Sequence, residues 1–209
     1  MPPFIVAHRA GNDLAQLRRA GRARFVEADV HLRRGRLEVR HLKAVGPILW
    51  DRWYIASPRT PRLELADLLV AAGRDTVLML DLKGFRRRLA RAVLAELAVH
   101  AGVDEIVVCS RSWRLLEAFE ADARVRVVHS VGSRRQLRAL RRRFAGRRLS
   151  GVSIHRRLLD EHVAAELRRR AELIVSWPVE TPEEALRLGR LGVHGVTTSE
   201  FETLAEAIA

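Results

Sequence analysis

The chain of 209 residues is long enough to bury a substantial core. Its composition, 48% apolar and 30% charged, excludes a disordered polypeptide. Its net charge of +13 is almost all arginine, with Lys43 and Lys83 the only lysines. No helix-turn-helix, zinc-finger or RNA-binding signature accompanies that charge, so it reads as solvated helix faces, with no nucleic-acid partner expected.

No apolar run reaches the roughly 18 residues of a membrane span. The first eight residues lack the basic region and long apolar segment of a signal peptide. The single cysteine, Cys109, allows no internal disulfide. Together these features predict a cytoplasmic protein.

Along the chain, short apolar runs alternate with helical patterns. Strands are predicted at 4–8, 25–32, 76–82, 105–110, 125–131, 150–155, 173–179 and 192–198. Helices are predicted at 13–20, 63–72, 85–101, 113–120, 133–144, 158–170, 182–191 and 200–208. Ser133 and Thr181 suit N-caps, Pro182 suits the first helical position, and Gly73, Gly102 and Gly192 suit helix stops. Strands that alternate with helices in this number predict an α/β fold, a (β/α)8 barrel of TIM type spanning 1–209 as one domain. An open doubly wound sheet is the alternative. Residues 42–61, with Trp50, Trp53, Tyr54 and three prolines, read as a compact loop over one end of the barrel.

The second strand is the most informative. Glu27 and Asp29 are two residues apart and so share a face. Adjacent carboxylates repel unless a proton or a cation lies between them. The turn at Arg33, Arg34 and Gly35 returns the chain through Val39 to His41, bringing an imidazole towards them. The pattern reads as half of a metal site with a proton-transfer group beside it. In a barrel, functional groups belong at the C-terminal ends of strands. His8, Asp81, Lys83, Ser110, His155, Trp177, Thr197 and Thr198 all fall there. Each also has a structural reading: Glu27 and Asp29 as salt-bridging or capping carboxylates, Asp81 and Lys83 as a simple pair, Cys109 as packing.

Taken together, these residues resemble a family. Val6-Ala7-His8-Arg9-Ala10-Gly11, Glu27-Ala28-Asp29-Val30, Val39-Arg40-His41 and Leu80-Asp81-Leu82-Lys83 are similar to the ordered motifs of the glycerophosphodiester phosphodiesterases. Residues 175–179 and 192–198 resemble that family's closing motifs. The resemblance implies a (β/α)8 barrel in which Glu27, Asp29 and Asp81 ligate one divalent cation, magnesium or calcium. It makes His8 and His41 the general acid and base, gives Arg9 and Lys83 the phosphate, and lines the pocket with Trp177.

The chain departs from the family pattern in several places. Ala10 stands where glycine is usual, and a Pro-Glu-Asn-Thr stretch is absent from the first loop. Leu42 replaces an aspartate, Asp81 a commoner glutamate, and His194 and Ser199 two further aspartates. The usual insertion is reduced to the 42–61 loop. The short loop and the aspartate at 81 also resemble the sphingomyelinase D branch of the superfamily.

The implied activity is metal-dependent cleavage of a glycerophosphodiester or a related lipid-headgroup diester through a cyclic phosphate. A small diester or a lysophospholipid is the expected substrate, with transient contact to an anionic membrane surface. The rival reading is a non-catalytic, phosphate-binding or interaction barrel.

Overall fold

Alternating inward and outward side chains on short strands need a closed sheet with helices around it. The computed structural model, which describes residues 2–45, 48–51, 54–56, 62–74, 76–100 and 104–208, has that arrangement. Its barrel strands are β1 (Phe4–Ala7), β2 (Phe25–Arg33), β3 (Val77–Leu82), β4 (Ile106–Ser110), β5 (Val125–Val131), β6 (Val152–His155), β7 (Ile174–Trp177) and β8 (Gly195–Thr198). All pair in parallel with their sequence neighbours, and β1 pairs with both β2 and β8, so the barrel has no open edge. That closure rules out the doubly wound alternative.

The surrounding helices are α1 (Leu14–Arg19), α2 (Leu65–Ala72), α3 (Arg87–Val99), α4 (Arg134–Arg143), α5 (Glu161–Arg170), α6 (Pro182–Arg190) and α7 (Phe201–Ala207). The capping residues behave as their chemistry requires. Ser133 Oγ accepts from the Gln136 N–H at 3.2 Å and Thr181 Oγ1 from the Glu184 N–H at 3.3 Å. Gly73 (φ 62°) and Gly192 (φ 83°) follow α2 and α6, and Gly102 lies outside the described residues.

One predicted helix differs in kind: Trp113–Phe119 is a 3-10 helix. Ser112 Oγ supplies no cap, and the Leu115 N–H bonds to the Ser112 carbonyl at 2.9 Å in the i to i+3 pattern of a 3-10 turn.

The strands sort their residues by phase. Outward side chains such as Val26, Ala28, Leu78, Leu80 and Val108 join the helices in the main core. Inward side chains Val6, Phe25, Met79, Val107, Cys109, Val128 and Val175 fill the barrel. The Phe4 and Phe25 rings meet edge-on at 5.0 Å near the N-terminal end. Further along the same inward rows, towards the C-terminal ends, the residues become polar. The buried Cys109 thiol is pushed well up by burial, as suits a packing group.

After β2, Arg34 (φ 49°) and Gly35 (φ 83°) form a tight turn, and Arg36–Val39 returns antiparallel with Val39 opposite Val30. Leu63–Glu64 extends this ribbon just before α2. The stretch expected as a compact loop instead contains a three-stranded antiparallel sheet of Lys43–Val45, Ile48–Asp51 and Tyr54–Ala56. Its short runs of β-branched and aromatic residues favour strands over irregular backbone. Trp53 and the three prolines of this stretch lie outside the described residues.

A buried ion cluster anchors the return strand. Arg40 Nε donates to Glu38 Oε2 at 2.6 Å, and both residues are buried. Arg62 donates to the other Glu38 oxygen at 3.1 Å, and Arg33 lies 3.9 Å from it. Burial raises the Glu38 carboxyl, but Arg40 and Arg62 outweigh it and hold the group below its ordinary value. The Arg40 N–H then donates to the Asp29 carbonyl at 2.9 Å, which brings the following His41 alongside the acidic strand.

Replacing Glu38 by Gln leaves the Arg40 charge buried without a carboxylate, so the loss of stability expected in urea titration is about 3–5 kcal/mol. The contribution of a lowered carboxyl is present above the ordinary glutamate range and fades as pH falls through its folded value. Wild type therefore loses this increment on acidification, and Glu38→Gln does not.

Candidate active site

All eight site residues predicted from sequence line one cavity of about 870 Å³ at the C-terminal end of the barrel. They are His8, Arg9, Glu27, Asp29, His41, Asp81, Lys83 and Trp177. The sheet register accounts for the acidic part. In the β2–β3 ladder Asp29 lies opposite Asp81 and Glu27 opposite Met79, so the three carboxylates project from adjacent inward rows. One oxygen from each lies within 4.8 Å of the others.

Their environment is strained electrostatically. Glu27 is 5% exposed and Asp29 is 1% exposed. Burial and the neighbouring Asp29 charge push the Glu27 carboxyl well up. Burial also raises Asp81, with Lys83 opposing it. For Asp29 burial is outweighed by Lys83 and by hydrogen bonding, and the carboxyl stays below its usual value. The Lys83 ammonium lies 2.6 Å from Asp29 Oδ1 and also contacts Asp81. Burial opposes its charge, but Asp81, Asp29 and Glu27 more than compensate and raise its pKa. The simple pairing of Asp81 with Lys83 is therefore real, and it coexists with the convergence of the three carboxylates.

An all-oxygen cluster of this kind fits a hard divalent cation, magnesium or calcium, better than zinc. The raised Glu27 and Asp81 carboxyls suit that fit, because burial disfavours their charged forms and a bound cation would offset it.

The first loop holds the other wall. Arg9 adopts the left-handed conformation (φ 59°), and its backbone N–H donates to Glu27 Oε2 at 2.7 Å. Its Nε lies 3.9 Å from Asp29 Oδ2 and, although buried, has no hydrogen-bond acceptor among the described residues. Asn12 grips Asp29 twice: its amide donates to Oδ2 at 2.8 Å and its carbonyl accepts from the Asp29 N–H at 2.8 Å. Gly11 is required by close approach, since a Cβ there would come 2.7 Å from Ala28 Cβ. His8 Nδ1 lies 3.1 Å from Ser199 Oγ. Burial, then Arg9, lowers the His8 pKa to about 4.

The opposite wall comes from β4 to β7. Trp177 at the end of β7 meets the His155 imidazole at 4.9 Å and 77°. The Arg111 guanidinium lies over the Trp177 ring, 5.0 Å from its centroid. Ser110 is buried and donates to the Leu82 carbonyl at 3.0 Å, so it braces β3 against β4. Thr197 lines the cavity, whereas Thr198 is buried and caps the Glu200 N–H at 3.0 Å.

Asn12, His31 and Arg111 were not selected from the sequence. His31 and Arg111 continue the inward phase of Asp29 and Cys109 by two residues and line the cavity. Strand periodicity was the signal for both. For His31, burial and then Arg40 lower the pKa to about 4. Asn12 carried no signal, because its partner is set by how the first loop lies on β2.

No family model matches the chain, and no curated protein matches it in sequence. Solved structures do resemble it. An Oleispira antarctica phosphodiesterase in complex with its product sn-glycerol-3-phosphate matches with a TM-score of 0.79 at 18% identity, over 99% of this chain and 97% of that one. A Thermotoga maritima glycerophosphodiester phosphodiesterase matches with a TM-score of 0.79 at 19% identity, over 99% and 98%. One from Parabacteroides distasonis matches with a TM-score of 0.78 at 19% identity, over 99% and 97%. The chain thus shares its whole (β/α)8 barrel with these proteins.

Proposed function

We propose that the protein is a metal-dependent phosphodiesterase that cleaves glycerophosphodiesters or related lipid-headgroup diesters. The observation that carries this reading is the meeting, in one cavity, of three carboxylates within 4.8 Å with the cationic side chains Arg9 and Lys83 and the histidines His8 and His41. The likeness to phosphodiesterase structures supports it through the fold, and the product in the Oleispira structure is the alcohol-phosphate such a reaction leaves.

Glu27, Asp29 and Asp81 would hold the divalent cation, which supplies positive charge to the phosphoryl oxygens. Arg9 and Lys83 bind the same phosphate, where negative charge grows as the reaction proceeds. The unpartnered Arg9 Nε suits that task. The attacking oxygen is a neighbouring hydroxyl of the substrate itself. His8, held neutral by burial, takes that proton through Nε2, with Nδ1–H donating to Ser199 Oγ. His41 gives a proton to the leaving oxygen. One P–O bond forms and one breaks, leaving a cyclic phosphate and a free alcohol, and water later opens the ring.

The monoacyl counterpart of a soluble diester is part of this proposal. Trp50 is 37% exposed on the small sheet that follows His41, and Phe85 is 76% exposed two residues beyond Lys83. Exposed aromatic groups suit an apolar boundary, and the net positive charge suits an anionic one. In assays with magnesium, kcat/KM for a lysophospholipid is expected to equal or exceed that for its deacylated diester. A strong preference for the deacylated diester, unchanged in Trp50→Ala and Phe85→Ala, would remove the lipid part of the reading.

Metal titrations by calorimetry test the cation site directly. Wild type should bind magnesium or calcium, and Glu27→Gln or Asp29→Asn should lose both binding and turnover. Retained affinity in these variants would refute the ligand assignment.

His8→Ala and His41→Ala should each lower turnover by about 10²- to 10⁴-fold while metal binding persists. Because His8 is lowered to about 4, its imidazole is neutral above that pH. At saturating cation, the acid limb of kcat/KM should fall nearer pH 4 than the ordinary histidine value, and it should change in His8→Gln.

A further inference from the structure

Arg111 is the cationic group of the cavity that the proposed chemistry does not use. It stands at the C-terminal end of β4, two residues past Cys109 on the inward phase, and lines the cavity. No hydrogen bond or ion pair to it occurs among the described residues, and its contact is the face of Trp177 at 5.0 Å. A bare arginine beside acidic residues would normally turn to a carboxylate, yet this one is held on an indole.

The holding is built into the backbone. Gly132 follows β5, and a Cβ there would come 3.3 Å from Arg111 Cζ, Arg111 Nη2 and Trp177 Cη2 together. The stack therefore occupies the space a side chain at 132 would need. Gly132 is itself fixed, because its N–H donates to Gln136 Oε1 at 2.8 Å. On the other side His155 packs edge-on to Trp177, and its Nδ1 accepts from the Arg157 N–H at 3.2 Å. The guanidinium thus lines the cavity, held against Trp177, with no hydrogen-bond acceptor for its donors among the described residues.

Resting on the phosphodiesterase reading, we infer that Arg111, clamped between Trp177 and Gly132, is a specificity-determining residue that binds an anionic group on the leaving alcohol of the substrate. A carboxylate or a terminal phosphate accepts two parallel hydrogen bonds from a guanidinium. A quaternary ammonium is disfavoured at the same place. The Trp177 face that would attract it already carries a cation, and like charges repel. A neutral alcohol falls between the two.

The test compares three glycerol phosphodiesters in the presence of magnesium. Their leaving alcohols are choline, glycerol, and glycerol bearing a terminal phosphate. Wild type should show the highest kcat/KM for the phosphate-bearing diester and the lowest for choline. In Arg111→Gln the ratio of the phosphate-bearing diester to the glycerol diester should drop by about 10- to 100-fold, the range of a charge-assisted hydrogen bond. Arg111→Lys keeps the charge but not the planar stack, and should recover only part of the ratio. Gly132→Ala, which pushes on the stack without touching the charge, should lower the ratio as well.

An unchanged ratio in Arg111→Gln overturns the inference. A loss equal for all three diesters overturns it too, because Arg111 would then bind the transferred phosphate. Failure of wild type to cleave any of the three would instead overturn the phosphodiesterase reading.

Discussion

The Lys83 ammonium between Asp29 and Asp81 is the interaction on which the site depends. Three carboxylates crowded within 4.8 Å, two of them buried, cannot all be ionised without positive charge among them. Lys83 supplies one charge and Arg9 a more distant one. Asp29 responds by staying ionised, while Glu27 and Asp81 are still pushed upward. The balance is incomplete, and that incompleteness distinguishes this cluster from an ordinary structural ion pair. The Glu38–Arg40 pair shows the contrast. It is just as buried, but three arginines meet one carboxylate and Glu38 is lowered.

The backbone is arranged to maintain the crowding. Register in the β2–β3 ladder makes Asp29 and Asp81 direct neighbours, and a slip of β2 by one residue would send Glu27 and Asp29 to the outer face while Asp81 stayed inside. Asn12 fixes Asp29 with two bonds. Gly11 lets the first loop lie against Ala28, and the strained Arg9 turns its N–H onto Glu27. Strain at Arg9 is tolerated because the loop is over-determined on both sides. Many surface arginines are engaged elsewhere: Arg141 and Arg170 with Glu166, Arg187 and Arg156 with Glu184, Arg87 and Arg143 with Glu117. Their charge still adds to a positive field over the surface, which would favour the anionic substrates proposed above.

The barrel was legible in the sequence because its signals are local. Apolar runs such as Val77 to Leu80 and caps such as Ser133 and Thr181 are read without knowing the fold. Glu27 with Asp29, and Asp81 with Lys83, were legible because period-two spacing puts them on one face. What escaped was set by distant contacts. Asn12 looks like any loop residue until the first turn is laid on β2. The helix predicted at 113–120 is 3-10 over Trp113–Phe119, because whether Ser112 caps the first turn is set by side-chain geometry that the sequence does not carry. The ribbon over 43–56 was read as a loop because its strands are too short to show alternation. His31 and Arg111 were readable in principle by extending the inward rows past Asp29 and Cys109, but a charge just beyond a strand end resembles an exposed loop residue.

The two walls of the cavity are not independent. The groups proposed to carry the chemistry come from β1 to β3 and the hairpin, whereas Arg111, His155 and Trp177 come from the segments of β4, β6 and β7. The walls join at β3 and β4, where Asp81 pairs with Cys109 and Arg111 lies just beyond. Arg111 favours the ionised form of Asp81 and the neutral form of His155. On the proposed reading the same guanidinium would help one cation-binding carboxylate stay charged and would shape the surface that meets the leaving group. On the same reading an anion paired with Arg111 would weaken that help to Asp81, and anion binding and cation affinity would be linked through one carboxylate.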